Sequence, residues 1–550
     1  MMEVVRLTNL GNLTLKNLLQ LDKTYAENAG LKRQKLGELW GSEETMDGFQ
    51  ELFSSYHSEA IFFIAREEGN YVRTDGFLGA TSHLSSATPE LIEKFEQLGL
   101  VKVSKEDKLL ENIVQDIQRD EYANPAKHIR KITVELTGLC NLKCKHCYRG
   151  GSREGEYGLP ADQIKEALEP ILRAGVDSIT FTGGEPTLRR DDLLDVIDYA
   201  SQFLELKGVS VEEKLQHRYG TPNPTVEYVL KTDGYIRMRG KLMEQLSMSK
   251  DELMTGDWNI CDENFPEDVE EMVREQAQFS LKYAKEPSTF NLDSICVLSN
   301  AFFEDQRDFV KRLKSYGNVS MQTSLDSYDE ETTDRNRGKK GVFAKVRNLV
   351  DVSKEEGFDL SIQGHNINGR KNGEAKASYS ELHGKVLIRD SEGMLQLGNA
   401  VQEDFETRDT MSSNNHIGAL SPANRHGDGW CKGFTRPDTL HIRPTGNVGN
   451  CLYAYAVPEE FGNLISTPMA DIVNGMQDTN VYQMFKDGRI EQYQHELDKS
   501  LFPKTFSKSC EPLILTLTYG MIKERLVAQG VENPVQRANQ EVARMYKFTK

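Results

Sequence analysis

Residues Leu136-Thr-Gly-Leu-Cys-Asn-Leu-Lys-Cys-Lys-His-Cys-Tyr148 place Cys140, Cys144 and Cys147 in one short loop with C-x3-C-x2-C spacing. Three thiolates this close in sequence can ligate three irons of a [4Fe–4S] cluster and leave the fourth iron open to a reacting ligand. Two plainer readings compete: a structural zinc site, or three unrelated thiols. Zinc usually takes four donors in two paired knuckles, and the nearby fourth candidate, His146, lies inside the same loop. The sequence around the loop narrows the choice. Ile132-Thr-Val-Glu-Leu-Thr137 alternates and is β-branched, the pattern of a strand. From Leu159-Pro160 a helical period runs through Ile164, Ala167, Leu168, Ile171 and Leu172 to a stop at Gly175. Ser178-Ile-Thr-Phe-Thr182 is a second strand and ends in Gly183-Gly184-Glu185-Pro186. Strand, loop, helix, strand begins a parallel α/β barrel, whose active sites lie at the carboxyl ends of the strands.

Gly-Gly-Glu-Pro has a use at such a strand end. Glycines let backbone approach a ligand and adopt positive φ, and Glu185 offers a carboxylate to an ammonium. An ordinary strand-to-helix turn is the plain alternative. Together, the C-x3-C-x2-C loop and the Gly183–Pro186 strand end resemble the radical S-adenosylmethionine (radical SAM) superfamily. The resemblance implies that the open iron chelates SAM and that electron transfer releases a 5′-deoxyadenosyl radical. It also implies that Gly183, Gly184, Glu185 and Pro186 bind the SAM amino group and that His146 lies against the adenine.

Further strands are expected at Ser294–Asn300, Val319–Asp326 and Phe358–Gln363, with helices near 304–316 and 341–356. A last barrel strand is expected near Val386–Arg389. The block from Ser324-Leu-Asp326 to Arg337-Gly338 is similar to a stretch of the peptide-modifying radical SAM branch. By that similarity Ser324 and Arg337 hold SAM. The family's glycine after Leu-Asp is Ser327 here, and its histidine is replaced near Thr333 and Asp334, so substrate contacts do not transfer. A solvated charged loop is the plain reading of Arg337.

Cys431 and the segment Gly446-Asn-Val-Gly-Asn-Cys451, followed by Gly462-Asn-Leu464, resemble the start of the SPASM or twitch extension. Cys510 is the one cysteine after them. The resemblance implies at most a second, auxiliary [4Fe–4S] cluster on Cys431, Cys451 and Cys510; structural cysteines are the alternative. Cys261 and Cys296 are left over as ordinary thiols.

The fold expected is α/β: a partial (β/α)6 TIM-like barrel over 126–205 and 290–400. An N-terminal α+β module (1–125), an inserted subdomain (206–289) and a C-terminal cluster-binding extension (425–550) accompany it. In the front module, Ile61–Arg66 and Tyr71–Thr74 read as a hairpin, Thr88-Pro89 caps a helix, and Leu100–Val103 returns as a strand. This pattern is similar to the winged-helix modules that grip leader peptides. The insertion carries eight acids and the single base Arg274 between Asp257 and Glu275, a solvated face.

Eight cysteines in 550 residues, six of them in cluster-like sets, is metal-type usage rather than a disulfide framework. No signal peptide opens the chain, and no apolar run reaches the roughly 20 residues that span a bilayer. The cytoplasm is the expected place. A net charge of −18 argues against general nucleic-acid binding, which needs clustered Lys and Arg. The function expected is radical modification of a peptide, with a small metabolite as the alternative substrate. A flavodoxin or ferredoxin is the expected reductant.

Overall fold

A computed structural model describes residues 2–21, 34, 36–53, 61–65, 71–75, 80–106, 126, 129–147, 149, 156–176, 178–204, 225, 295–327, 329–364, 411–412, 439–450, 461–498, 505–506 and 510–545. The chain divides into two compact units. One comprises Met1–Gln20, Lys32–Glu205 and Asp293–Lys550; the other comprises Leu21–Leu31 and Leu206–Leu292. All but two residues of the second unit, the expected insertion included, lie outside the described residues.

The front module is a five-stranded antiparallel sheet. It contains β1 (Met2–Leu7), β2 (Ile61–Ala65), β3 (Tyr71–Asp75), β4 (Ala80–Ala87) and β5 (Val101–Glu106), in the order β4-β3-β2-β1-β5. The hairpin β2–β3 forms as expected, with Ala65 opposite Tyr71. The sequence reading missed β1, which becomes the central partner of β2 and β5. Helices α1 (Asn9–Leu21), α2 (Glu43–Phe53) and α3 (Pro89–Gln97) accompany the sheet. Thr88 caps α3 by accepting the Leu91 amide, and Ile92 and Phe95 are its buried residues. Trp40, Phe49, Phe53 and Phe95 form one aromatic core, with Phe49 centroids 5.0–5.3 Å from its three partners.

The barrel sheet starts at β6 (Lys131–Thr137). Then come α4 (Ala161–Arg173), β7 (Ser178–Gly183), a 3-10 turn (Pro186–Arg189) and α5 (Arg190–Ser201). It resumes with β8 (Ile295–Ser299), α6 (Gln306–Ser315), β9 (Val319–Leu325), α7 (Glu330–Arg337), α8 (Val342–Glu356) and β10 (Leu360–Gly364). Each neighbouring pair from β6 to β10 is parallel. This is the α/β architecture of a partial TIM-like barrel. Along β6, Ile132, Val134 and Leu136 point one way, and Thr133, Glu135 and Thr137 the other, as pleating requires. The first set buries with Ile164, Leu168 and Ile171 of α4, whose 3.6-residue spacing puts them on one helix face. The second set lies on the face opposite the helices.

A short β11 (Met411–Ser412) precedes the C-terminal part, which contains β12 (Thr439–Ile442), β13 (Asn447–Gly449) and β14 (Gly462–Asn463). These strands belong to the barrel sheet: β12 pairs in parallel with β6, His441 opposite Thr133. The eight-stranded order is β10-β9-β8-β7-β6-β12-β13-β14. The expected hairpin around Gly446 therefore extends the first barrel strand, with Gly446 at φ 84° in its turn. The expected strand near Val386–Arg389 lies outside the described residues. Helices α9 (Met469–Asn474), α10 (Asn480–Lys486), α11 (Arg489–Glu496), α12 (Cys510–Ala528) and α13 (Pro534–Met545) follow, with the short β15 (Thr505–Phe506) before α12.

Polar side chains pin the front module to the barrel. Trp40 Nε1 donates to the Arg173 carbonyl at 3.3 Å, and Asn17 Nδ2 donates to the Ala174 carbonyl at 2.8 Å, both at the end of α4. Asn9 Nδ2 donates to the Val473 carbonyl at 3.1 Å, at the end of α9. Carbonyls at a helix end lack intrahelical partners, so these bonds satisfy groups that burial would otherwise orphan. No helix among the described residues is long and apolar enough to cross a membrane.

Candidate active site

Cys140, Cys144 and Cys147 are half-buried on the loop that leaves β6 at its carboxyl end. The loop is held from two sides. Lys143 and Lys145 donate their amides to the Arg337 and Asn336 carbonyls at 3.2 and 2.9 Å, which joins it to the end of α7. Gly184 and Glu185 donate theirs to the Thr137 and Leu139 carbonyls at 2.7 and 2.8 Å. A Cβ on Gly184 would stand 2.0 Å from the Leu139 oxygen, and Gly183 sits at φ 137° against Thr137. The paired glycines thus permit close approach of backbone to the cysteine loop.

Glu185 is fully buried. Its carboxylate accepts from the Thr187 amide and hydroxyl at 3.1 and 2.6 Å, Ser299 Oγ at 2.9 Å and the Asn300 amide at 2.7 Å. Burial raises its pKa, and the four donated bonds pull it back. The carboxylate expected to meet a ligand ammonium is therefore engaged by the protein itself. It orients Asn300, whose Nδ2 donates to Asn141 Oδ1 at 2.8 Å and lies 3.8 Å from Cys140 Sγ.

Arg337 is likewise committed. Its Nε and Nη2 donate to the two oxygens of Asp326 at 2.7 and 2.5 Å, and Nη1 lies 3.9 Å from Cys144 Sγ. Burial, the largest influence, lowers the guanidinium pKa; the charges and hydrogen bonds of Asp326 and Cys144 together outweigh it and raise it. His146 Nδ1 is 3.8 Å from the same Asp326. Asp326 thus connects Arg337 with His146, a role sequence reasoning did not assign, although its position just beyond a barrel strand end was the available signal. Ser324, half-buried at the end of β9, pairs across the sheet with Gln363. The departures from the family pattern have local tasks. Thr333 Oγ1 donates to the Ser327 carbonyl at 2.7 Å, and Asp334 accepts the Gly341 amide at 2.6 Å.

On the sheet face opposite the helices, Glu135 is paired with Arg149 and, at 3.4 Å, with Arg443 of the segment after β12. Arg149 also donates to Glu156 at 2.8 Å. These residues, absent from the sequence reading, clamp the far end of the cysteine loop to β6. Arg189, just after the glycine motif, donates to the Leu136 and Leu159 carbonyls at 2.8 and 2.9 Å.

Burial pushes the Cys140 thiol up to about 12 and the Cys144 thiol up to about 11. Iron would therefore have to displace protons from both. Among the described residues no three His, Cys, Asp or Glu are gathered to hold a single metal ion. A tetrahedral zinc needs its donors in one small shell, whereas each cysteine of a [4Fe–4S] cluster binds its own iron. The donor set, three soft sulfurs on one pinned loop, fits the cluster. Cys431 and Cys451 lie outside the described residues, as does the side chain of Cys510, which opens α12. Cys296 is buried in β8.

A radical SAM superfamily model matches residues 134–236, the span that begins in β6 and runs past the glycine motif. The chain carries a radical SAM domain. Relatives of this domain include probable GTP 3′,8-cyclases. That of Pyrococcus horikoshii is 32% identical over 148 residues, 26% of this chain and 42% of the relative. That of Methanococcus maripaludis is 40% identical over 87 residues, 16% of this chain and 28% of the relative. The chain thus spans less than half the length of these curated relatives. Solved structures similar to it include Streptococcus suis SuiB bound to S-adenosylmethionine, 13% identical, covering 83% of this chain and 93% of that one, with a TM-score of 0.37. Another is anSMEcpe with bound AdoMet, 12% identical, covering 72% and 98%, with a TM-score of 0.33.

Proposed function

We propose that this chain is an enzyme that reductively cleaves SAM and uses the radical on an organic substrate. The observation that carries the reading is the pinned cysteine loop: Cys140, Cys144 and Cys147 at a parallel-strand end, gripped by the Gly183–Glu185 backbone and by α7. These cysteines would hold a [4Fe–4S] cluster. When bound, the cluster would supply the electron that breaks a SAM carbon–sulfur bond and yields the hydrogen-abstracting 5′-deoxyadenosyl radical. Glu185 and Arg337 act as positioning residues, through Asn300 and Asp326. Ser324 and His146 are the proposed SAM contacts, with the backbone of Gly183, Gly184 and Pro186 beside them. The Glu135–Arg149–Arg443 network places buried, paired charges along β6 next to the cysteine loop.

A small polar metabolite is the favoured substrate class. The relatives' printed activity on GTP supports it, and so does the charged sheet interior. A ribosomally made peptide is the second reading, favoured by the five-stranded antiparallel front sheet. An auxiliary cluster on Cys431, Cys451 and Cys510 belongs to the same proposal. Anaerobically reconstituted protein, given dithionite and SAM, is expected to form 5′-deoxyadenosine. A Cys144→Ala variant that forms it at the native rate would sink the assignment. Uncoupled 5′-deoxyadenosine formation that rises with nucleotides or sugars rather than short peptides would select the metabolite.

A further inference from the structure

We infer that Asn300 and Arg337 set the reduction potential of the cluster, each held against a cysteine sulfur by a buried carboxylate behind it. The inference rests on the reading that Cys140, Cys144 and Cys147 hold a reducible cluster, and it gives two side chains a part in that cluster's electronics.

The two donors are built alike, from the ends of neighbouring strands. Glu185 lies just past β7, Asn300 just past β8 and Asp326 just past β9. Both carboxylates are buried. Glu185 fixes Asn300 by accepting its backbone amide at 2.7 Å. The Asn300 side chain is then oriented by its own oxygen, because Oδ1 accepts the Phe302 amide at 2.8 Å. The NH2 group is left facing the loop, with Asn141 Oδ1 at 2.8 Å for one hydrogen and Cys140 Sγ at 3.8 Å for the other. Between Asn300 and Phe302, Ala301 sits at φ 63°, in the left-handed region that a non-glycine residue rarely adopts. The Ala301 amide donates to Ser299 Oγ at 3.1 Å and Gln306 Nε2 donates to the Ala301 carbonyl at 2.6 Å, which holds the turn in place. At Cys144 the donor is Arg337. Asp326 engages its Nε and Nη2 through both oxygens. A guanidinium is planar, so fixing two of its nitrogens fixes the third, and Nη1 stands 3.9 Å from Cys144 Sγ.

Pairing with Asp326 accounts for two of the Arg337 nitrogens. It does not account for the direction of the third, which meets a sulfur. Reduction of a [4Fe–4S] cluster adds one electron, and so one negative charge shared by its irons and sulfurs. The electron comes from an external reductant, no bond breaks and no proton need move. Buried surroundings resist that added charge: burial is the largest influence that raises the Cys140 and Cys144 thiols. At Cys144 the charge and hydrogen bond of Arg337 oppose burial, and the Asp326 charge reinforces it. An added electron meets the same balance. N–H groups aimed at the sulfurs favour the reduced form and raise the potential, and a carboxylate nearby lowers it. Asp326 thus has two effects of opposite sign: it aims the guanidinium and it tempers the guanidinium's charge.

The test is a potentiometric titration of full-length, anaerobically reconstituted protein without SAM, read by the electron paramagnetic resonance of the reduced cluster. The signal that a later addition of SAM perturbs identifies the loop cluster. Arg337→Met should make that cluster harder to reduce by about tenfold or more in the reduction equilibrium, each tenfold lowering the midpoint by about 59 mV. Asn300→Ala should shift it the same way by about three- to tenfold, the strength of one neutral hydrogen bond. Asp326→Asn should shift it the opposite way, because the guanidinium then stands uncompensated. Asp326→Leu combined with Arg337→Met strands no charge but lacks the donor, so its potential should lie between those of the parent and Arg337→Met. Equal iron content establishes that each variant folds. An unchanged potential in Arg337→Met or in Asn300→Ala would overturn the inference. So would shifts of the same sign in Arg337→Met and Asp326→Asn, the mark of a loop that has merely loosened. A parent protein that holds no iron, or whose signals SAM leaves untouched, would instead overturn the function proposed above.

Discussion

Replacing Arg337 by Ala should loosen the cysteine loop by a calculable amount. The Arg337 and Asp326 side chains are 7% and 0% exposed and share two hydrogen bonds of 2.7 and 2.5 Å. Their mutual attraction offsets the loss of hydration of both. Removing one partner leaves a buried charge uncompensated, at a cost of about 3–5 kcal/mol. The Cys144 contact, at 3.9 Å to a weak acceptor, adds little. A chain of two compact units has no single unfolding free energy, so the measurement must be local. The Lys143 and Lys145 amides donate to the Arg337 and Asn336 carbonyls and report the junction directly. Their hydrogen exchange should speed up by about 10²–10⁴-fold in Arg337→Ala, the equivalent of that free energy. Asp326→Leu combined with Arg337→Met should recover most of the protection, because an apolar pair leaves no stranded charge. Native exchange in the single variant, or a double variant as loose as both single losses added, would refute the reasoning.

Glu185→Gln keeps the shape but aims an NH2 at one of four donors, and should cost on the order of 1–3 kcal/mol of local stability around Asn300; exchange of the Asn300 amide measures it. His441, buried beside Arg443, is pushed down from 6.5 to about 3 by burial and then by that charge. Between those values the unfolded chain binds the extra proton, so stability falls as pH falls, by up to about 1.4 kcal/mol per unit. His441→Gln should therefore flatten the loss of amide protection in β12 between pH 6.5 and pH 4.5, and an unchanged slope would count against the buried neutral imidazole. If Cys431, Cys451 and Cys510 hold a second cluster, anaerobic protein should carry about eight irons, and the triple Ala change at Cys140, Cys144 and Cys147 should leave about four. Iron-free protein after that change would make the later cysteines packing residues.

Local patterns carried the strands from β6 to β10 in the sequence, because each couples a short apolar run to a breaker: Gly175 before β7 and Gly357 before β10 are examples. The cysteine spacing marked the site for the same reason, since its donors lie within one loop. What the sequence could not disclose depends on partners far along the chain. β12 pairs with β6 across some three hundred residues, and nothing within Thr439–Ile442 names that neighbour. Glu185 reads as a ligand-binding charge because it follows a strand end, and Arg337 because its stretch is similar to a family motif. Only the packing that buries them beside Ser299, Asn300 and Asp326 shows that both charges already have partners within the protein. The same long-range closure sets Lys143 and Lys145 against the end of α7. Charge patterns on two segments become one surface only when the chain folds them together, since a charge acts through distance in space, not in sequence.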